Sequence, residues 1–253
     1  MPDFAAATIL VTGAAPGIGL AVAERLAADG TAKLVLVDLD GAALNRIDLP
    51  CSIETLPGSV AEEAFWDDVA PHLAGLTHAV VNAGVAGAGA IAELPFAEWR
   101  RILSVNLDGA FLTLRAALRA MSAGEKGGGA IVALSSATAV RAEAGTAAYG
   151  ASKAALLQLV RVAAKEAAPR RIRINALAPA GVETPVWDGV PMFAARAAVI
   201  GRDVAFAELA SMATPLGRYA KPAEVAAQVA WLLSGDAALI TGATLLADGG
   251  YTL

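Results

Sequence analysis

The sequence predicts an α/β fold, a doubly wound parallel sheet with helices on both faces, and three observations lead to it. Short strand-like runs alternate with longer alanine-rich helical stretches through most of the 253 residues, a pattern typical of parallel sheets. The strand-like runs are apolar throughout, as at residues 34–37, which is expected of strands covered on both faces. A glycine-rich turn joins the first strand-like run to the first helical stretch, where such sheets open a crevice. No repeat or linker divides the chain, so we expect one domain over residues 1–253.

Each element follows from its own pattern. Runs rich in β-branched residues or leucine predict strands, and longer alanine-rich stretches predict helices. Strands are predicted at residues 7–12, 33–38, 77–82, 130–135, 172–178 and 244–247. Helices are predicted at residues 17–28, 61–73, 99–121 and 147–167, with another that begins at Pro222. A flexible turn is predicted at residues 124–129, and the pattern is irregular between Gly181 and Pro222.

Composition argues against a membrane-bound or secreted protein. Hydrophobic residues make up 57% of the chain, yet no uncharged apolar run reaches the roughly 18 residues that a membrane-spanning helix needs. Residues 1–8 hold no basic segment that leads into an apolar stretch, so no secretion signal is expected. Cys51 is the only cysteine, so an intrachain disulfide is impossible, in agreement with a cytoplasmic location.

Charge and histidine content argue against two kinds of partner. The net charge is −5, and no basic cluster is present, so nucleic acid is not an expected partner. His72 and His78 are the only histidines, and neither has a carboxylate or cysteine at a ligand spacing. No metal site is therefore predicted.

The turn after the first strand has the sequence TGAAPGIG, at residues 12–19. Its glycines allow a sharp turn and let a pyrophosphate approach the N–H groups at the helix N-terminus. Pro16 has no N–H, so its neighbours must supply the donors. The spacing differs from the commoner G-x-G-x-x-G pattern, and a simple tight loop is the alternative. A strand before the loop and a helix after it favour a Rossmann-type dinucleotide site.

Asp38 ends the second predicted strand about twenty residues after the loop, where a carboxylate can bind ribose hydroxyls. A 2′-phosphate about 4 Å away would be repelled by roughly 4 kcal/mol per charge at an effective dielectric of 20, an upper figure because solvent screens it. No lysine or arginine occupies Ala14, Ala15 or Leu39 to reverse that repulsion. The predicted cofactor is therefore NAD, and the alternative is an aspartate that caps a turn.

Tyr149 and Lys153 are four residues apart in a helical stretch, so they lie on one face about a turn apart. A free tyrosine has a pKa near 10 and is a poor base at neutral pH. An ammonium about 5 Å from its oxygen would favour the phenolate by about 3 kcal/mol. The pair is thus predicted to serve as a general acid and base, and the alternative is an ordinary surface pair.

Polar residues at neighbouring strand ends support a site around this pair. Ser135 and Ser136 end the strand before the tyrosine helix, and the motif Asn82-Ala83-Gly84 ends the strand before that. Ligands bind at this carboxyl edge of open α/β sheets. Asn106 lies within a helical stretch, where its low propensity calls for a reason.

These motifs together resemble the short-chain dehydrogenase/reductase family in its single-domain form, over nearly the whole chain. The family's catalytic four fall at Asn106, Ser136, Tyr149 and Lys153, and Ser136 is preferred to Ser135 because the family's serine precedes the tyrosine by about thirteen positions. Residues 175–184 resemble the segment that holds the nicotinamide carboxamide, and residues 248–250 the C-terminal signature. The resemblance implies cofactor contacts at Gly13, Pro16, Gly17, Ile18, Gly19, Asp38, Leu39, Ser59, Val60, Asn82, Ala83, Gly84, Tyr149, Lys153, Pro179, Gly181, Val182 and Thr184.

Two residues depart from the family pattern. Ala180 stands where the family usually has glycine after the proline of the nicotinamide segment, and this change could alter the geometry of the turn. Ser59 stands where the family often has an aspartate that bonds the adenine amine, so we expect a weaker adenine contact.

The resemblance also implies a mechanism in which a hydride passes between the cofactor and a secondary alcohol or ketone. Tyr149 takes or returns the proton of the substrate oxygen, which Ser136 holds by a hydrogen bond. Lys153 lowers the pKa of the tyrosine and holds ribose hydroxyls of the cofactor. Asn106 supports a water that links Lys153 to solvent.

A substrate lid is expected at residues 186–214, because the family carries its lid there. This stretch is strongly apolar, so we expect an apolar or ring-containing substrate, with packing on the body of the protein as the alternative. The apolar residues are Val186, Trp187, Val190, Met192, Phe193, Phe206, Leu209 and Met212. Arg196 and Arg202 could bind an anionic substrate, but we expect them to be ordinary exposed charges on a helix.

Relatives usually form tetramers through the two long helices, here residues 99–121 and 147–167, and through the last strand, so we expect a homotetramer. Two other functions are weighed against the dehydrogenase. A 3-oxoacyl-[acyl-carrier-protein] reductase shares the fold and the catalytic four but usually prefers NADP(H), which Asp38 disfavours. A non-catalytic dinucleotide-binding protein would tolerate loss of the tyrosine or lysine, and both are present.

Overall fold

The computed structural model describes residues 4–122 and 128–253, so the turn predicted at residues 124–129 lies largely outside the described residues. Within them the chain forms a parallel sheet of seven strands in the order β3-β2-β1-β4-β5-β6-β7. The strands are β1 (Thr8–Thr12), β2 (Lys33–Asp38), β3 (Ser52–Pro57), β4 (His78–Val81), β5 (Gly129–Leu134), β6 (Ile172–Pro179) and β7 (Thr244–Ala247). The predicted doubly wound α/β fold is confirmed.

Helices cover both faces of this sheet. They are α1 (Gly17–Ala28), α2 (Gly41–Leu44), α3 (Glu63–Val69), α4 (Phe96–Leu103), α5 (Ala110–Ser122), α6 (Ala147–Ala167), α7 (Pro191–Ile200), α8 (Arg202–Ala213) and α9 (Pro222–Leu233). A π-helical segment, Ser104–Gly109, joins α4 to α5. Among the described residues, no helix combines the length and the apolar character needed to cross a membrane.

Strand side chains alternate between two cores, because successive residues of a strand point to opposite faces. Leu10 and Val35 lie in the core that α5 and α6 cover. Ile9 and Leu34 lie in the core that α1 and α9 cover. Burial on both faces explains why these strands are apolar throughout.

The strand order places the crevice of the fold. β1 pairs with β2 on one side and with β4 on the other. The order in which strands are added to the sheet therefore reverses at β1. Loops that leave the carboxyl ends of β1 and β4 separate at this point and leave room for a ligand. The glycine-rich turn and the motif at residues 82–84 are the two loops concerned.

The structure corrects several predicted elements. The edge strand β3 was not predicted, and neither were the short helix α2 and the two helices α7 and α8 between residues 181 and 222. The helix predicted at residues 99–121 begins at Phe96 and contains the π-helical segment. The helix predicted at 61–73 is α3 followed by a 3₁₀ turn, Ala70–Leu73. The other predicted strands and helices are present, with bounds that differ by no more than a residue.

Candidate active site

The glycine-rich loop is packed so closely that side chains cannot enter it. A Cβ added to Gly19 would lie 1.9 Å from the carbonyl oxygen of Gly13. Gly13 and Gly17 both have a φ of +65°, a left-handed conformation that favours glycine. Pro16 precedes α1 directly and makes no side-chain cap there, so the N–H groups at the start of this helix remain available to an anion.

The loop is braced from the carboxyl end of β4. The Thr12 hydroxyl oxygen accepts hydrogen bonds from the N–H groups of Asn82 at 3.1 Å and Ala83 at 3.2 Å. The Asn82 side-chain amide donates to the carbonyl oxygens of Thr12 at 3.0 Å and Gly13 at 2.9 Å. Both amide hydrogens of Asn82 are thereby engaged, so this predicted cofactor residue holds the shape of the loop.

Asp38 lies at the rim of the same loop. One of its carboxylate oxygens accepts the N–H of Ala15 at 2.9 Å, and the other accepts the N–H of Asp40 at 3.0 Å. The turn-capping role weighed for this residue is therefore present, and it also fixes the carboxylate beside the glycine loop. The neighbouring Leu39 is 78% exposed, as expected of a residue at the open edge of a crevice.

Ser59 and Val60 follow β3 and lie next to Asp38. The N–H of Gly58 donates to the backbone oxygen of Asp38 at 2.9 Å, which joins the two turns. The hydroxyl oxygen of Ser59 accepts the N–H of Ala61 at 3.3 Å, and its proton stays available for a ligand. Val60 is buried.

The predicted nicotinamide segment comes close to the glycine loop. A Cβ added to Gly17 would lie 3.4 Å from the Cβ of Thr184, so the ends of β1 and β6 meet here. Gly181 leaves room for Tyr219, whose ring would lie 2.4 Å from an added Cβ. Positive φ occurs at Arg171 among the described non-glycine residues and not at Ala180, so the alanine that departs from the family pattern does not strain the turn.

Three of the four predicted catalytic side chains meet at the ends of β5 and α6. The ammonium nitrogen of Lys153 lies 5.8 Å from the centre of the Tyr149 ring and donates to the carbonyl oxygen of Leu134 at 2.8 Å. Ser136 shares a side-chain hydrogen bond with Tyr149. Ser135 instead donates to the backbone oxygen of Lys153 at 3.0 Å, so the structure places Ser136, the serine chosen from the sequence, against the phenol.

Burial controls the acidity of these groups. It lowers the pKa of Lys153 to about 8, because a buried ammonium loses its hydration. Burial also raises the pKa of Tyr149, and the hydrogen bond with Ser136 opposes this rise in part. In the protein alone the pKa of Tyr149 is therefore raised by loss of hydration, whereas the spacing to Lys153 predicted a lowered pKa.

Asn106 lies in the π-helical segment, which explains a residue of low helix propensity at this position. Its side-chain oxygen accepts the N–H of Val85 at 2.8 Å. Its amide group donates to the carbonyl oxygen of Val85 at 3.0 Å and to the Ser152 hydroxyl at 3.1 Å. With both donors engaged, the side chain clamps the loop after β4 to α6, next to Lys153. Irregular helical turns of this kind are frequent at functional sites.

The expected lid folds as α7 and α8 around an aromatic cluster. Phe193 and Phe206 are 1% and 3% exposed, and Trp187 stacks on Tyr219 with ring centres 5.6 Å apart. The Trp187 indole N–H donates to the carbonyl oxygen of Val182 at 2.9 Å. These aromatic side chains pack on each other and support the nicotinamide segment, so the packing alternative describes them better than a substrate-facing surface.

The two lid arginines, expected to be exposed helix charges, are partly exposed and form ion pairs within the lid. Arg196 pairs with Glu208 at 2.7 Å. Arg202 pairs with Asp188 and donates to the backbone oxygen of Thr184 at 2.8 Å. Arg202 therefore ties α8 to the nicotinamide segment, a contact between distant residues that sequence spacing does not reveal.

The chain resembles known proteins over nearly its whole length. Residues 13–252 match the family model described as enoyl-(acyl carrier protein) reductase. The chain is 38% identical to cis-4-hydroxycyclohexanecarboxylate dehydrogenase of Sinomonas cyclohexanicum, over 98% of this chain and 98% of that protein. It is 37% identical to galactitol 2-dehydrogenase (L-tagatose-forming) of Cereibacter sphaeroides, over 96% and 94%.

Solved structures resemble the whole chain. A short-chain dehydrogenase/reductase of Brucella melitensis, described as a glucose/ribitol dehydrogenase, aligns with a TM-score of 0.84 at 32% identity, over 100% of this chain and 99% of that one. L-sorbose reductase of Gluconobacter frateurii, solved with NADPH and L-sorbose, aligns with a TM-score of 0.90 at 26% identity, over 98% and 97%.

Proposed function

The chain belongs to the short-chain dehydrogenase/reductase family, and we propose that it is an NAD(H)-dependent enzyme that interconverts a secondary alcohol and a ketone. Oxidoreductase chemistry on CH–OH groups with a nicotinamide dinucleotide follows from its relatives. The choice of NAD(H), the site residues and the substrate are the proposal. The observation that carries it is the meeting of Ser136, Tyr149 and Lys153 beside the crevice at β1.

The residues at this crevice fit a dinucleotide. A Cβ at Gly19 would clash with the carbonyl oxygen of Gly13, and Pro16 makes no side-chain cap at the start of α1, so the N–H groups of the helix N-terminus are open to a pyrophosphate. In this proposal Gly13, Gly17 and Ile18 hold the pyrophosphate, and Asp38 holds ribose hydroxyls. When bound, the dinucleotide supplies the hydride acceptor or donor.

The chain's own residues handle the proton. In oxidation the Tyr149 oxygen takes the proton from the alcohol, and in reduction it returns a proton to the ketone oxygen. Ser136 donates a hydrogen bond to the substrate oxygen and stabilises its developing charge. Lys153 compensates the charge of the phenolate and holds ribose hydroxyls, while Asn106 positions the loop beside it.

A single substitution tests the catalytic assignment. Tyr149→Phe removes the proton-transfer group and keeps the ring, so turnover should fall by at least about a hundredfold. Binding of NADH, measured by its fluorescence, should stay within about twofold of wild type. Wild-type turnover by the phenylalanine variant would refute the assignment.

The preference for NAD(H) rests on the charge of Asp38, which the Ala15 N–H fixes at the loop. Asp38→Asn keeps the size of the side chain and one of its two accepting oxygens and removes the charge, so the affinity for NADPH relative to NADH should rise about tenfold, a figure reduced for solvent screening. Asp40→Asn is the matched control, because Asp40 caps α2 two residues away. Wild-type affinity for NADPH equal to that for NADH would refute the preference and favour the 3-oxoacyl-[acyl-carrier-protein] reductase alternative.

We propose an apolar, ring-containing alcohol as substrate. Val140 follows the serine turn, and Val186 and Met192 follow the nicotinamide segment; all three are exposed, unlike the aromatic residues of the lid. The related hydroxycyclohexanecarboxylate dehydrogenase acts on a ring alcohol by its name, whereas the related galactitol dehydrogenase acts on a polyol. Initial rates of oxidation of cyclohexanol and of galactitol with NAD⁺ test the proposed substrate class. Faster oxidation of galactitol would refute it.

We also propose a domain organisation, an oligomeric state and a cellular location. Residues 1–253 form a single domain whose lid spans about residues 186–214. A homotetramer is supported by Phe111 on α5 and Val162 on α6, which are exposed and line one groove. Light scattering that gives the 25.4 kDa mass of one chain would exclude it. A cytoplasmic location is supported by the free thiol of Cys51.

A further inference from the structure

Thr138 makes two contacts with the catalytic serine. Ser136 begins a short 3₁₀ helix, Ala137–Ala139. The side-chain oxygen of Ser136 accepts the N–H of Thr138 at 3.2 Å, and the hydroxyl of Thr138 lies 2.9 Å from the same oxygen as a donor. Thr138 has no role in the proposed function.

These two contacts occupy both lone pairs of the Ser136 hydroxyl oxygen. A hydroxyl oxygen has two lone pairs and one proton. The N–H of Thr138 can only donate, so one lone pair is committed, and the hydroxyl of Thr138 fills the other. Ser136 can then take part in a third hydrogen bond only as the donor.

We propose that Thr138 is a positioning residue that fixes the hydrogen-bond polarity of Ser136, so that the serine proton always points toward the Tyr149 oxygen and the substrate oxygen. The proposal rests on the proposed function for its catalytic meaning, since it concerns the same site. A serine held as a donor stabilises an oxygen that carries negative charge, either the phenolate or the substrate oxygen as it develops charge.

If Ser136 accepted a hydrogen bond from Tyr149 instead of donating one, the effect on the phenol would be the opposite. Without the Thr138 hydroxyl, one lone pair of Ser136 is free, and the neutral phenol of Tyr149 can donate to it. That hydrogen bond would stabilise the protonated phenol and oppose ionisation.

The test replaces Thr138 by valine, which keeps the branched shape, and by serine, which keeps the hydroxyl. Thr55→Val is the matched control, because Thr55 is a partly buried threonine on the distant edge strand β3 whose hydroxyl makes one long hydrogen bond of 3.4 Å. Thr138→Ala removes the same hydroxyl without adding an atom, so it covers the case in which valine does not fit.

Ionisation of the phenol is read directly by NMR. The chain has three tyrosines, so labelling the ring carbon that bears the oxygen gives few signals, and Tyr149→Phe identifies the one that matters. Thr138→Val and Thr138→Ala should ionise Tyr149 at higher pH than wild type, while Thr138→Ser and Thr55→Val should follow wild type. Equal titration in all variants, or a serine variant that behaves like valine, would overturn the proposal.

The rate of alcohol oxidation gives the second readout. In Thr138→Val, kcat at pH 7 should fall about fivefold to tenfold, in keeping with the loss of one hydrogen bond. The deficit should shrink as the pH rises, because both proteins then reach the phenolate form. A deficit that is constant with pH would overturn the proposal. Failure of wild type to oxidise any alcohol would instead refute the proposed function, and the NMR titration would still decide the role of Thr138.

Discussion

Replacing Lys153 with methionine should stabilise the fold while it abolishes turnover. The ammonium of Lys153 is buried, and its hydrogen bond to the carbonyl oxygen of Leu134 is 2.8 Å long. Methionine has a similar length and no charge, so it can fill the same space without losing hydration. Stability and activity are therefore expected to move in opposite directions at this position.

The magnitude follows from the pKa. Burial lowers the pKa of Lys153 from 10.5 to about 8, and at about 1.4 kcal/mol for each pKa unit the buried charge costs the folded state about 3 kcal/mol. Methionine leaves the Leu134 oxygen without its donor, at a cost of about 1 kcal/mol. We therefore expect Lys153→Met to raise the free energy of unfolding by about 2 kcal/mol at pH 7.

The pH dependence provides the sharper test. Between pH 8 and pH 10.5 the unfolded chain holds the Lys153 proton and the folded chain does not, so wild-type stability from this residue rises with pH. The advantage of the methionine variant should shrink across that window. Urea unfolding at several pH values measures it, with Lys165→Met, an exposed position on the same helix, as control. A variant that is less stable than wild type at pH 7, or a difference that is constant with pH, would refute the reasoning.

Two further predictions concern the loop and the base of the sheet. Gly19→Ala places a Cβ 1.9 Å from the Gly13 oxygen, so it should cost about 2–4 kcal/mol in urea unfolding and weaken NADH binding at least about tenfold. Gly235→Ala, which meets open space, should change neither, and normal NADH affinity in Gly19→Ala would contradict the account. Burial lowers the pKa of His78 to about 4 from 6.5, so the folded chain binds fewer protons than the unfolded chain in that range, and acidification should remove about 3 kcal/mol of stability. His78→Gln should lose this dependence and His72→Gln should keep it; parallel acid curves for His78→Gln and wild type would be the contrary result.

The catalytic residues could be placed from the sequence because their positions follow from local rules. Tyr149 and Lys153 share a helix face by their spacing. Ser136 ends a strand, and parallel strands bring their carboxyl ends to one edge of the sheet. The fold class followed in the same way from the alternation of strands and helices, which is a property of each segment taken alone.

The elements that were missed depend on neighbours distant in sequence. Within the described residues, β3 lies at the edge of the sheet and pairs with β2 alone, so its polar residues Ser52 and Glu54 are tolerated and its pattern is weak. In the lid, apolar composition was visible, but it does not tell which surface a side chain meets. Trp187 packs on Tyr219, more than thirty residues away in the chain. Because of this pairing, a side chain that was expected to face the substrate packs inside the lid instead.

The acidity of Tyr149 was mispredicted for the same reason, and the error explains why Lys153 is retained at a cost in stability. Spacing gives the distance between a phenol and an ammonium, but burial, which spacing does not give, disfavours each charge when it stands alone. A phenolate and an ammonium formed together compensate each other, so the two groups should titrate as a coupled pair. In Lys153→Met that compensation is lost, and Tyr149 stays protonated at neutral pH. The buried charge that destabilises the fold is thus the charge that makes a phenolate attainable.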